Sequence, residues 1–246
     1  MADSNIYETR RLLDEYLLFH YGSAEEVLPW PNGPREALGF PMRSVLELID
    51  PFSIPEPARA LDLGCAVGRS SFELAAFTDE VTGIDFSHSF VDAAKALRDG
   101  TTLGYQRLEE GQVSTTLTAE LPGNLPRENV SFEQGDAMNL RADLGAFDVV
   151  HAANLLCRLP EPALLLKRLP ELVKPGGQLL LTTPCTWLAD FTPPENWPPA
   201  TTRDWLKQQL SETFELVHEQ DLPFLIREHA RKYQWSLAWG TRWVRR

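Results

Sequence analysis

Cysteine is scarce in this sequence: three in 246 residues, at positions 65, 157 and 185, with no Cys-x-x-Cys pair. An odd number at wide spacing excludes a disulfide framework and a zinc cage, and fits a reducing compartment. No apolar run approaches the roughly 20 residues of a membrane span. The opening MADSNIYETRR has no apolar h-region, so a cytoplasmic protein without a membrane partner is expected. Basic residues are also in deficit, with 23 Lys and Arg against 35 Asp and Glu and a net charge of −12. Such a surface repels nucleic acid and anionic membranes. His20, His88, His151, His218 and His229 show no ligand-like spacing, and no metal is expected.

What is present is ordinary for a globular chain. Hydrophobic residues make up 43% and charged residues 24%, which excludes a disordered, collagen-like or coiled-coil protein. The length suits one α/β domain with embellishments. Residues 1–57 read as a helical preamble or lid, 58–183 as a core, and 184–246 as a substrate-side insertion followed by C-terminal edge strands. Leu12, Leu13, Tyr16 and Leu17 share a helical stripe that stops at Gly22, and a second helix is predicted over 42–49. From Arg59 strands and helices alternate: ALDL, 70–77, EVTGID, 89–97, VSFEQGD, FDVVHAANLL, 160–173 and GGQLLLTT. That alternation argues for a parallel sheet covered on both faces. Residues 99–129 interrupt it with Gly, Thr and Pro and read as an insertion on the sheet's edge. A helix over 202–210 and strands over 214–220 and 234–244 then form an antiparallel edge hairpin.

The chemistry lies at the ends of the strands. In ALDLGCAVGRS, Gly64 permits a tight turn and Gly68 lets a helix N-terminus approach the sheet. The spacing is Gly-x-x-x-Gly, not the dinucleotide fingerprint Gly-x-Gly-x-x-Gly. Asp62, two residues before Gly64, would crowd a pyrophosphate and suits a cation, such as the amino group of a methionine moiety. Asp85 ends the next strand, 21 residues after Gly64, where a carboxylate accepts both ribose hydroxyls. Asp136, after Gly135, is placed to take an exocyclic adenine amine. Each acid alone also reads as a helix N-cap; three at successive strand ends point to a ligand, because ligands bind outside the carboxyl ends of strands in such sheets.

DLGCAVGRS, GIDFS, GDA and KPGG, in that order, resemble the motifs of the class I S-adenosylmethionine-dependent methyltransferases. The resemblance implies a Rossmann-like α/β fold with a mostly parallel seven-stranded sheet whose last strand is antiparallel. It also implies cofactor contacts at Asp62, Gly64, Ala66, Gly68, Asp85, Phe86, Asp136, Ala137 and Asn154, with S-adenosylhomocysteine as product.

Outside the core, YETRRLLDEYLLFHYG, ALGFPMR, AANLLCRLP, TWLADFTPPENW and PFLIREHARKYQW look like the methyltransferases of ovothiol biosynthesis. This second resemblance implies methylation of the imidazole π nitrogen of 5-sulfanylhistidine, giving ovothiol A, with a separate sulfoxide synthase and lyase upstream. The chain departs from that family's Ser-Pro-Tyr-Thr-Trp at Thr183-Pro184-Cys185-Thr186-Trp187.

Methyl transfer from a sulfonium needs alignment and exclusion of water more than acid–base work. The imidazole's other nitrogen must hold the proton, and Asn154 is the candidate catalytic residue that fixes this tautomer; a turn-forming asparagine is the plainer role. An amino acid substrate brings a carboxylate, for which Arg158, Arg227 and Arg231 are candidates, with Tyr7, Glu228 and Gln234 beside them in the family-like stretches. Residues 227–246 carry six basic side chains and one acid. Tyr21 and Arg43 are expected either to hold the cofactor's carboxylate or to pack the preamble onto the core. Trp187, Trp197, Trp235, Trp239 and Trp243 are expected to divide between pocket wall and core. Other readings are a methyltransferase for another small acid or for RNA, a non-catalytic regulatory binder of the cofactor, and a dinucleotide oxidoreductase, which Asp62 disfavours.

Overall fold

In the computed structural model residues 6–246 are described; residues 1–5, the start of the stretch MADSNIYETRR, lie outside the described residues. The preamble opens with a 3-10 turn at Ile6–Glu8 and α1 (Arg10–Tyr21), whose N-cap Thr9 accepts the Leu12 N–H. Next comes α2 (Ala24–Val27), a single turn held by a capping box of Ser23 and Glu26. The third helix, α3 (Phe40–Leu46), starts before the expected Met42 because Pro41 fits inside its first turn.

The core alternates as the sequence predicts. It runs through β1 (Arg59–Leu63), α4 (Arg69–Leu74), β2 (Glu80–Asp85) and α5 (His88–Arg98). A hairpin of β3 (Leu103–Glu110) and β4 (Val113–Ala119) precedes β5 (Val130–Gln134), β6 (Phe147–Ala153), α6 (Pro162–Leu172) and β7 (Val173–Thr183). After α7 (Thr202–Leu210) the chain closes with β8 (Phe214–His229) and β9 (Lys232–Arg245).

One seven-stranded sheet runs β5-β2-β1-β6-β7-β9-β8, and β3-β4 form a separate ribbon. The pairs from β5 to β7 are parallel, and β9 runs antiparallel between β7 and β8. Alternate residues of β1 show why both faces are covered: Ala60 belongs to the cluster containing α1, α3 and α4, whereas Leu61 and Leu63 join the one under α6 and α7. The insertion expected over 99–129 falls before the edge strand β5 and is itself regular: it folds into the β3–β4 ribbon, and the Arg10 guanidinium of α1 bonds the Gly104 carbonyl there.

The C-terminal hairpin is longer than predicted at both strands. Pairing of β7 with β9 ends at Thr183 opposite Trp239, but β8 and β9 pair onward to His229 opposite Lys232. The far half of the hairpin therefore projects past the carboxyl edge of the sheet, where Leu222, Phe224 and Ala238 pack with Phe40 of α3.

Candidate functional site

Four adjacent strand ends converge at the point where strand order reverses around β1. The loop after β1 is held by backbone bonds from the Gly64 and Cys65 N–H groups to the Ile84 carbonyl. Gly68 sits at φ 90°, and a Cβ there would meet the Phe132 ring at 2.7 Å, so glycine is required for the helix to approach the sheet. Ala66 adopts φ 48°, strained for a residue with a Cβ, which presents its N–H to the Asp85 Oδ2 at 2.9 Å. The other Asp85 oxygen accepts the Ser87 N–H at 2.9 Å. Burial lifts the Asp85 carboxyl to about 6, against those two amide donors. Each carboxylate oxygen keeps a further lone pair, so a vicinal diol can be accepted without breaking either bond.

Beside it Phe86 is 56% exposed, a flat apolar face on the open side of β2. At the neighbouring end of β5, Asp136 accepts the Met138 N–H through Oδ1, and Ala137 is buried. On the other side of β1, Asn154 stands at φ 53° directly after β6. Its Oδ1 accepts the Thr182 hydroxyl at 2.8 Å, which turns the amide NH2 away from Thr182. Tyr21 donates its hydroxyl to the Val67 carbonyl at 2.8 Å and braces the glycine loop from the preamble. Gly64, Ala66, Gly68, Asp85, Phe86, Asp136, Ala137 and Asn154 are thus brought to one edge.

A second wall faces the same edge. Glu8 accepts the N–H groups of His88 and Ser89, and the Tyr7 carbonyl accepts the Ser87 and Ser89 hydroxyls. This docks the N-terminal turn on the start of α5. Tyr7 then meets Tyr16, Phe90 and Phe191 with ring centroids 5.9 to 6.3 Å apart. The Arg158 guanidinium lies 4.6 Å over the Phe191 ring, donates to the Cys157 carbonyl at 3.2 Å, sits close enough to Tyr7 for its charge to oppose the effect of burial on that phenol, and has no carboxylate partner among the described residues. Burial raises the Tyr7 and Tyr16 phenols, so both are neutral. The enclosure is aromatic with one cation. Tyr16 was read only as part of a helical packing stripe, and Phe90 and Phe191 were not singled out; Tyr16 and Phe191 lie in the family-like stretches YETRRLLDEYLLFHYG and TWLADFTPPENW, and their juxtaposition exists only once preamble and insertion fold together.

Several sequence expectations are corrected. Asp62 does not face a ligand: it is 1% exposed beneath the loop. Its Oδ2 accepts the Ser71 hydroxyl at 2.6 Å, and its Oδ1 lies 2.7 Å from His151 Nδ1. Arg43 bonds Glu47 and the Pro223 carbonyl, so it packs α3 against β8 and does not hold a cofactor carboxylate. Arg227 is buried in an ion pair with Glu109, while Glu228 is engaged by Lys232 and Gln234. Arg231 is exposed in the hairpin turn. None of these four residues joins Tyr7, Asn154 and Arg158, because the hairpin carries them past the enclosure. Trp239 and Trp243 are core residues, and Trp187 packs edge-on to Trp205. Trp235 lines a surface cavity of about 400 Å3 with Trp30 that shares no residue with the strand ends.

The strand-end residues fit an adenosyl cofactor: a diol acceptor at Asp85, an apolar ring face at Phe86 and an acceptor at Asp136. Among the described residues no group of three His, Cys, Asp or Glu is placed to hold a metal. Similar proteins agree with that geometry. The chain is 30% identical over 155 residues to the ubiquinone biosynthesis O-methyltransferase of Xanthomonas axonopodis pv. citri, covering 62% of this chain and 53% of that one. It is 28% identical over 181 residues to the demethylmenaquinone methyltransferase of Lactococcus lactis, covering 71% and 55%. The chain spans about half the length of the curated relatives it matches. In solved structures the fold recurs in an S-adenosylmethionine-dependent methyltransferase of Methanosarcina mazei, with TM-score 0.53, 18% identity, and 80% and 98% of the two chains covered. The methyltransferase domain family matches residues 36–233, four-fifths of the chain. With the glycine loop, the Asp85 carboxylate and the seven-stranded sheet in place, the chain belongs to the family of S-adenosylmethionine-dependent methyltransferase domains.

Proposed function

We propose that the protein methylates the imidazole π nitrogen of 5-sulfanylhistidine, giving ovothiol A and S-adenosylhomocysteine. The observation that carries this reading is Arg158, a half-buried guanidinium stacked on Phe191 beside Tyr7, in the 3-10 turn that follows β6 and without a carboxylate partner among the described residues. It is the one of the three candidate arginines positioned to hold a substrate carboxylate by the cofactor edge. The family-like stretches around the enclosure support the same substrate.

When bound, S-adenosylmethionine supplies a methyl group on a sulfonium. Asp85 holds the ribose, Phe86 and Asp136 the adenine, and the loop from Gly64 to Gly68 leaves room for the rest. Tyr7, Tyr16 and Phe191, backed by the buried Phe90, exclude water and present aromatic surface to an imidazole and a cation. Asn154, with its amide fixed by Thr182, orients the ring; its Oδ1 retains a lone pair for the N–H of the nitrogen that is not methylated.

A phenolate on a quinone precursor would also suit Arg158, and the relatives named above act in ubiquinone and menaquinone synthesis. One assay separates the readings: the protein with S-adenosylmethionine and 5-sulfanylhistidine, histidine, a demethylated quinone precursor or RNA, with product masses read. Methylated 5-sulfanylhistidine, and histidine far slower for want of the sulfur contact, is the expected result. Methylation of the phenol alone overturns the proposal and leaves the methyltransferase.

A further inference from the structure

Between β7 and α7, residues 184–201 form a strap that carries Phe191 to the enclosure. The strap is closed on itself. The Phe191 and Thr192 N–H groups both donate to the Leu188 carbonyl, at 3.0 and 2.9 Å, and the Trp197 indole N–H donates to the Thr192 carbonyl at 2.7 Å. Near its origin the Trp187 indole N–H donates to the Thr202 hydroxyl at the start of α7, at 2.8 Å.

This loop grips the 3-10 turn Leu156–Arg158 and the two residues after it in matching order. Phe191 lies under the Arg158 guanidinium at 4.6 Å, the Thr192 hydroxyl donates to the Leu159 carbonyl at 2.7 Å, and the Asn196 amide donates to the Pro160 carbonyl at 2.9 Å. Within its own turn the Arg158 side chain bonds through Nη1 to the Cys157 carbonyl at 3.2 Å. A long cation without a carboxylate partner loses rotamer entropy when a ligand fixes it, so its aim is set in advance only where its turn and the ring beneath it are already fixed. Thr192 is 0% exposed. Valine has the same branching, so what the hydroxyl adds at that position is the Leu159 bond.

We propose that Thr192, assisted by Asn196, is a positioning residue for the methyl acceptor: it locks the turn that carries Arg158 to the strap that carries Phe191, so that the guanidinium is aimed before the acceptor's carboxylate arrives. The proposal rests on the reading of Arg158 as the acceptor's anchor. Being fully buried, Thr192 acts through Arg158 and not on the substrate.

Thr192→Val, Thr192→Ser and Asn196→Ala in the full chain test it. The control is Thr78→Val, a buried threonine that donates to the Leu74 carbonyl ahead of β2, at the opposite end of the strands. With 5-sulfanylhistidine as acceptor, Thr192→Val should raise KM about three- to tenfold, the equivalent of one neutral hydrogen bond, with kcat and S-adenosylmethionine affinity nearly unchanged. Thr192→Ser should restore KM, Asn196→Ala should raise it, and Thr78→Val should lower the melting temperature without moving KM. In an Arg158→Ala background Thr192→Val should add nothing further, because the two residues act as one unit. A readout free of the acceptor is the Arg158 Nε–H resonance in a proton–nitrogen correlation spectrum, assigned by its loss in Arg158→Lys and displaced upfield by the Phe191 ring. It should move toward the position of a solvated arginine in Thr192→Val and Asn196→Ala, and stay in place in Thr192→Ser and Thr78→Val. If 5-sulfanylhistidine is not methylated, the acceptor reading fails and the resonance alone decides the role of the strap. A resonance unmoved in both Thr192→Val and Asn196→Ala, an unchanged KM, or a KM that Thr192→Val still raises in the Arg158→Ala background overturns the proposal. Should Thr192→Val fail to fold, Asn196→Ala decides.

Discussion

Two side chains carry most of the proposed chemistry. Asp85 has a carboxyl raised by burial to about 6, with an amide donor on each oxygen. Hydroxyl donors of a ribose favour the carboxylate, so cofactor binding should release a proton and weaken as pH falls through about 6. Calorimetry across pH 5 to 8 should show that slope in the native chain and none in Asp85→Asn. Asp85→Ala should cost about 1.5 to 3 kcal/mol of binding, as for a lost charged hydrogen bond; an unchanged affinity in the folded variant removes Asp85 from the site. The stability sign runs the other way. A folded-state value above the ordinary carboxylate means that the native protein holds this proton more tightly than the unfolded chain does. The contribution is therefore present at low pH and is lost as pH rises through about 6. Arg158 belongs to the acceptor. Arg158→Ala should raise KM for the amino acid substrate by roughly ten- to a hundredfold, the equivalent of one charged contact, with S-adenosylmethionine affinity nearly intact. Equal loss on both substrates would place Arg158 in the general architecture.

At the scale of elements, the acid of the glycine motif is a girder and not a ligand contact. Asp62 on β1, His151 on β6 and Ser44 on α3 form one buried chain, with His151 Nε2 3.1 Å from the Ser44 hydroxyl and all three at 1% exposure or less. It joins the sheet to the preamble directly under the cofactor loop. His151→Leu would leave the buried Asp62 with Ser71 as its remaining side-chain donor, and should lower stability by about 3 to 5 kcal/mol, read as a shift in urea midpoint at constant slope. A loss below about 1 kcal/mol would mean that the carboxylate is satisfied without the histidine. The sequence could not separate the two roles of Asp62, since both need an acid before the loop; only the side of β1 that it occupies decides. The five parallel strands were legible because strands buried on both faces read as short apolar runs. The β3–β4 ribbon was not, because both strands alternate toward solvent and the ribbon has no core of its own. Strand-end ligands follow from topology and were legible. The aromatic enclosure combines residues 7, 16, 90 and 191, and no local pattern links them.

Over the whole molecule the charge is acidic, and the one basic stretch, 227–246, invites comparison with a nucleic-acid footprint. The hairpin pulls that stretch apart. Arg227, Arg231 and Lys232 lie near its tip, while Arg242, Arg245 and Arg246 lie at its base. The ten residues from Lys232 to Arg242 span roughly 33 Å of extended strand, about four Debye lengths at physiological salt. The two groups therefore do not sum to one field. At the tip Glu109 pairs with Arg227 and Glu228 with Lys232. At the base Arg242, Arg245 and Arg246 bond the carbonyls of Leu48, Val173 and Ser211 and fasten the C-terminus to the sheet and to the end of α7. With carboxylates in surplus elsewhere, counterion release has no continuous surface to act on. Fluorescence anisotropy with a labelled single-stranded RNA at physiological ionic strength should therefore show no saturable binding, and RNA should remain unmethylated in the acceptor panel. Binding tighter than about 1 μM under those conditions, stronger than ordinary non-specific association, would show that tip and base act together after all and would move the substrate from a small amino acid to a polyanion.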